Sequence, residues 1–208
     1  MEALATRPPA DHLLVALLGH IRGRYRHTGH CQVPAARQGT PVPCEDVTEL
    51  IKQVNEANTR GRGTVVPSSG CSYELNAPAV PDGTSGASGL PIITGELTIS
   101  GNRATITRQS TTPFRIAEVA QQGSLTLNGI TVSGGSAAED SGTAGGGILT
   151  EGTLRLVASR ITGNTASVLG GGIAVASGAT ARLAGSIVSD NRARRRQHCG
   201  RRWWHSRG

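Results

Sequence analysis

Aromatic side chains are nearly missing from this chain: they make up 2% of 208 residues, and Tyr73 and Phe114 are the only two outside the terminal segments. Any interior must therefore be thin and filled by Leu, Ile, Val and Ala. Apolar residues reach only 37%, low for a compact core but sufficient for a narrow stack of coils. Histidine is absent from the middle; all six (His12, His20, His27, His30, His198, His205) lie near the ends, which removes the general base of Ser/His/Asp chemistry from the body. No apolar run approaches the length of a membrane-spanning helix. The Gly runs carry no following Lys-Ser/Thr and feed strands instead of a helix, so they match neither a phosphate loop nor a dinucleotide fingerprint.

What is present is a repeat. Leu97/Ile99/Ala104, Leu125/Leu127/Val132, Leu154/Leu156/Ile161 and Ala181/Leu183/Val188 are four copies of one apolar pattern, with first members 28, 29 and 27 residues apart. The first two residues of each copy lie two apart, as on one strand face, and the third follows a turn. Such a period signals stacked coils of a β-solenoid. The 29 glycines concentrate in runs such as Gly145-Gly146-Gly147 and Gly170-Gly171-Gly172, where a chain that reverses often needs positive φ.

The formal charge of +7 is confined to the ends. Residues 44–190 carry nine Lys/Arg and twelve Asp/Glu, whereas residues 191–208 carry seven Arg and no acid. Three segments follow: 1–43, a disordered or damaged export segment; 44–191, the repeat body; 192–208, a basic disordered tail. Leu13–Leu18 resembles the apolar part of an export signal, but a basic stretch follows it where a small-residue cleavage site belongs. His20, His27, His30 and Cys31 match no zinc spacing. The tail abandons the repeat within a coil. If Ala193 to Gly208 are written with GC-rich codons chosen among synonyms, the next frame can encode Arg-Gly-Gly-Gly-Asn-Thr-Ala followed by glycines, the vocabulary of Asn164-Thr165-Ala166 and Gly170–Gly172, so a reading-frame slip is one explanation. The competing reading makes Arg192, Arg194, Arg195, Arg196, Arg201 and Arg202, with Trp203 and Trp204, a nucleic-acid tail. A charge run is usually solvated surface, so nucleic acid is disfavoured.

Asp46–Asn58 places Val47, Leu50, Ile51, Val54 and Ala57 on one helical face. Asp46 stands as N-cap, Glu49 completes a capping box and Gly61 ends the segment. The expectation is a helix that closes one end of the stack. Thr64–Val66, Ser72–Leu75 and Leu90–Ile93 read as short strands of an irregular first coil. Cys44 precedes the helix and Cys71 lies between the first two strands. A disulfide there would close a roughly 27-residue loop and imply an oxidising compartment; the other reading is two free buried thiols.

The succession of a Cys, an amphipathic helix, a Gly-rich turn, a second Cys, Leu-Pro-Ile-Ile-Thr-Gly-Glu-Leu-Thr-Ile-Ser-Gly-Asn and repeated Gly-Gly-Gly-Ile with Ile-Thr-Gly-Asn resembles secreted bacterial right-handed parallel β-helix proteins of the pectin-lyase-like superfamily. Gly171-Gly172-Ile173 and the ends at Asn164 and Asn191 are similar to the repeats of polymorphic outer-membrane proteins. The resemblance covers about residues 44–191 and implies an all-β fold, a right-handed parallel β-helix of about three to four coils with an N-terminal amphipathic capping helix. It also implies a secreted or cell-surface location, with polysaccharide or surface proteins as partners.

Two residue pairs stand out within the coils. Asn164 and Asn191 share one repeat position, held by Thr107 and Gly135 in earlier coils, and read as an internal amide ladder. Arg155 and Arg182 share another, pointing outward between apolar neighbours, with Thr98 and Thr126 before them; they are the candidate glycan-binding residues. Lyases of the superfamily pair such cations with clustered carboxylates that bind calcium. Here Glu139 and Asp140 lie in a Gly/Ser loop, Glu151 lies at a turn, and no carboxylates repeat across coils. The expectation is a non-enzymatic scaffold with no catalytic residue, metal or cofactor. Two alternatives stand beside it, a remnant of a polysaccharide lyase or hydrolase, and a truncated product without function.

Overall fold

The computed structural model describes residues 40–137 and 145–193. The chain runs β1 (Pro41–Val42), α1 (Val47–Thr59), β2 (Arg62–Pro67), β3 (Ser72–Leu75), β4 (Glu96–Arg108), β5 (Ala117–Val119), β6 (Ser124–Ser133) and β7 (Ser136–Ala137). It continues as β8 (Ile148–Thr150), β9 (Thr153–Val157), β10 (Arg160–Thr162), β11 (Thr165–Ala166), β12 (Ile173–Val175), β13 (Thr180–Ala184), β14 (Ile187–Ser189) and β15 (Arg192–Ala193). All pairings between these strands are parallel. The result is a parallel β-solenoid of about 5 turns, against the three to four coils expected, with β2 and β3 paired along β4 as the irregular first coil.

Nine strands form the main sheet, and two three-stranded sheets, β7-β11-β15 and β5-β8-β12, form the other walls. Across the main sheet Leu97, Leu125, Leu154 and Ala181 stand in one column, and Ile99, Leu127, Leu156 and Leu183 in the next. A side chain inward at one rung is inward at all, so each column buries itself by stacking. Leu125, Leu154, Leu156 and Ile161 are fully buried. The last described rung differs: Leu183, Ile187 and Val188 are 49%, 47% and 44% exposed.

The third column departs from the sequence reading. Ile106, not Ala104, pairs with Val132, while Ala104 pairs with Ile130. The register shifts between Ser100 and Ala104, because this coil spends four residues on a corner that the next coil turns in two. Thr107 accordingly faces Ser133 and is not the forerunner of Asn164. Leu90–Ile93 also forms no strand. Pro91 cannot donate to a ladder, although Leu90 and Ile93 donate backbone N–H to the carbonyls of Ile116 and Glu118. The paired segments extend slightly past the expected boundaries, since Pro41–Val42 pairs with β2 and Arg192–Ala193 with β11. The export-like segment, His20–Cys31 and the Arg/Trp tail beyond Ala193 lie outside the described residues.

Helix α1 packs on β2 and touches β3 and β4. Leu50, Val54 and Ala57 are its buried side chains, with Val47 and Ile51 partly covered. Asp46 accepts a hydrogen bond from the Glu49 N–H at 2.8 Å. The capping box is only half made, since the Glu49 carboxylate turns to Lys52 and Gln53 and the Asp46 N–H goes to the Pro43 carbonyl. Gly63 lets the helix approach β2: a Cβ there would meet the Ala57 Cβ at 2.6 Å.

Candidate functional site

Arg155 and Arg182 are direct register partners on β9 and β13. Both are exposed, because they alternate with Leu154, Leu156, Ala181 and Leu183, whose side chains point to the bore. Thr126 and Thr98 continue the same column toward β2, where it ends on Thr64. Neighbouring strands lie about 4.8 Å apart, so two like charges stand side by side without an ionic partner among the described residues. The ion pairs among the described residues join Glu49 to Lys52, Glu56 to Arg60 and Arg115 to Glu118, and none involves this column. Like charges directly opposite cost energy, an arrangement that a bound anion would reverse.

Next to this column the main sheet bends. Gly129, Ala158 and Gly185 occupy the corner in successive coils, all with positive φ, 65°, 46° and 56°. The corner is a groove of about 370 Å³ whose lining includes Arg103, Thr131, Ser159 and Arg160. Arg103 itself sits at φ 62°, and both arginines are exposed. The acidic groups gather elsewhere. Glu45, Asp46 and Glu74 line a separate groove of about 620 Å³ between the start of α1 and β3, beside Cys44 and Cys71. Those two cysteines are paired, with Cα atoms 5.3 Å apart.

Asn164 and Asn191 point into the wall instead of toward a ligand surface. Asn164 is fully buried, its Oδ1 accepting from the Gly135 N–H at 2.9 Å and its Nδ2 donating to the Thr162 carbonyl at 3.1 Å. Gly135, as the sequence suggested, is the preceding member of this ladder. Its amides are consumed internally.

The sequence reading missed one cluster. Arg115 and Glu118 are 1% and 3% exposed, and the guanidinium donates to Glu118 Oε2 at 2.8 Å and to the Ser85 carbonyl. Ser85 Oγ lies 3.4 Å from Glu151 Oε1. Ser85 belongs to the Pro/Gly/Ser-rich strap 76–89, which closes on the outside of the β5-β8-β12 sheet through backbone hydrogen bonds between Arg115 and residues Ala87 and Gly89. Burial pushes the Glu118 carboxyl above its ordinary value and lowers the Arg115 guanidinium; Arg115 opposes the first shift and Glu151 adds to it. Two charged residues inside the apolar stretch Phe114–Val119 were the available signal. The carboxylates are thus spent on holding a strap and do not converge on Arg155 and Arg182. Glu139 and Asp140 lie outside the described residues. Among the described residues no three His, Cys, Asp or Glu side chains gather as metal ligands, and no helix is long and apolar enough to cross a membrane.

No protein-family model, curated protein or solved structure matches this chain.

Proposed function

We propose that the protein is a non-enzymatic extracellular or cell-surface scaffold that binds anionic glycans along the outer face of its main sheet. The observation that carries this reading is the Arg155–Arg182 pair, exposed, in register and without a carboxylate partner among the described residues. Guanidiniums take carboxylates and sulfates in two-pronged hydrogen bonds, and the threonine column beside them offers hydroxyls to sugar hydroxyls. In this reading the solenoid is right-handed, in line with the general preference of parallel crossovers, and α1 is the lid over its first rung, shielding strand edges from water. The Cys44–Cys71 pairing favours an oxidising compartment outside the cytosol.

Affinity electrophoresis through gels containing an acidic or a neutral polysaccharide tests the proposal. The acidic gel retards the wild-type chain, the neutral gel does not, and Arg155→Ser with Arg182→Ser abolishes the difference. Equal mobility of the wild type in both gels would refute glycan binding. Release of unsaturated or reducing sugar ends would replace the scaffold reading with that of a lyase or hydrolase.

A further inference from the structure

Resting on the anionic-glycan reading above, we infer that the bend of the main sheet is itself a binding seat, built for a linear polysaccharide that carries an anionic group on every second sugar. The coils that meet there follow one rule with one departure. Between the paired positions Leu127/Leu156/Leu183 and Ile130/Ser159/Ser186 each coil spends two residues on the corner, the second in the left-handed region: Gly129, Ala158 and Gly185. The β4 coil spends four, Ser100 to Arg103, between Ile99 and Ala104. The two added residues raise Asn102 and Arg103 as a wall at one end of the groove. Bulges of this kind re-aim side chains and gather at binding sites, and Arg103 fills the left-handed place that Gly129 and Gly185 give to glycine in later coils, so this coil sets a long cation where the turn itself needs no side chain.

The floor suits a chain running along the solenoid axis. Gly129, Ala158 and Gly185 leave it almost bare of side chains, so a ligand can approach the backbone of three successive rungs. Thr131 and Asn102 border it with polar groups. Arg160 faces the corner from the other side; it pairs with Thr131, which pairs with Thr105 of the coil that carries Arg103. The two arginines are therefore two strand spacings apart along the axis, about 10 Å. That is the span of a disaccharide, so two anions on alternate sugars meet two guanidiniums. Among the described residues no carboxylate lines the groove, and no aromatic side chain does either, which leaves nothing there for nucleic-acid bases to stack on.

Titration calorimetry on the full chain distinguishes the outcomes, with three probes of equal length: a hyaluronan oligosaccharide, charged on every second sugar; an oligogalacturonate, charged on every sugar; and a neutral dextran. The wild type is expected to prefer the hyaluronan oligosaccharide, with affinity falling as salt rises. Arg103→Ser with Arg160→Ser removes both charge-assisted contacts and weakens that binding at least about tenfold. Deleting Asn102 and Arg103, which gives the coil the regular two-residue corner, has the same effect with an unchanged melting temperature. Undiminished binding in both variants, while Arg155→Ser with Arg182→Ser weakens it, overturns the groove and leaves the scaffold reading standing. A preference for oligogalacturonate overturns the alternating-charge inference. Absence of binding to every anionic probe overturns both.

Discussion

Asn191 Oδ1 accepts from both the backbone N–H and the side-chain Nδ2 of Asn164, at 3.0 and 2.9 Å. One rung thereby satisfies the polar groups of the rung before it, as Asn164 does for Gly135 and as Asn191 Nδ2 does for the Ile161 carbonyl at 2.9 Å. Replacing Asn164 by Ala removes the acceptor of a buried backbone N–H, and an orphaned group of that kind costs about 1–3 kcal/mol. Asn164→Ala should lower the unfolding free energy by an amount in that range, read as a lower urea midpoint with an unchanged slope. Asn191→Ala, made in the more exposed last rung, should lower it less. Equal losses would mean that the ladder is not cumulative from rung to rung.

Ala158 holds a left-handed corner, φ 46°, where the coils on either side use Gly129 and Gly185. A Cβ in this region costs about 1 kcal/mol, and nothing else at the corner requires one. Ala158→Gly should raise stability by up to about 1 kcal/mol, the relief of strain being partly offset by the extra freedom glycine gives the unfolded chain. Thermal unfolding of the two proteins side by side is the check, and a lower melting temperature in the variant would show that the alanine methyl packs usefully.

The coil stack was legible because each rung repeats the same local instruction: Leu-x-Leu alternation fixes which face turns inward, and the register of Leu127, Leu156 and Leu183 follows from it. Arg155 and Arg182 were placed side by side by the same rule. The reading slipped where one coil departs from the rule, since counting from Ile99 finds Ala104 five residues on and only pairing reveals Ile106 as the partner of Val132. Arg115 and Glu118 were invisible for another reason. Two charges inside the apolar stretch Phe114–Val119 mark the place, but their burial depends on a strap some thirty residues upstream, and the local pattern does not encode what that loop covers.

Burial raises the Glu118 carboxyl above the ordinary glutamate value, so the folded chain holds its proton more tightly than the unfolded chain does. That contribution to stability is complete at pH below the unfolded value and is lost as pH rises through the raised folded value. The wild type should therefore show a falling urea midpoint from mildly acidic toward higher pH relative to Glu118→Gln, which has no proton to release there. Parallel pH profiles for the two proteins would place the Glu118 carboxyl in a solvated setting.

Thr150 is fully buried, sits across from Val119 of the core, and its Oγ1 has no hydrogen-bond partner among the described residues. A hydroxyl buried without a partner costs about 1–3 kcal/mol by mutational measures, whereas valine has nearly the same shape and no polar atom. Thr150→Val should stabilise the chain by about 1 kcal/mol, read as a higher urea midpoint with an unchanged slope. A loss of stability would reveal a partner for the hydroxyl, such as a buried water.

Cys44, three residues before α1, is tied to Cys71, just before β3, across a sequence separation of 27. In the chain-entropy picture, closing a loop of that length restricts the unfolded chain by about 3–4 kcal/mol. Cys44→Ser with Cys71→Ser should lose stability of that order, and reductant should lower the urea midpoint of the wild type while leaving the double variant unmoved. Hydrogen exchange sharpens the test: the loss should be greatest in α1, held otherwise by Leu50, Val54 and Ala57 and by the Asn58 amide on Ile92 and Thr94, and least in β9 and β10, which are stacked between neighbouring rungs. If the wild type ignores reductant, the two thiols are free in solution and the argument for an oxidising compartment falls with the bridge.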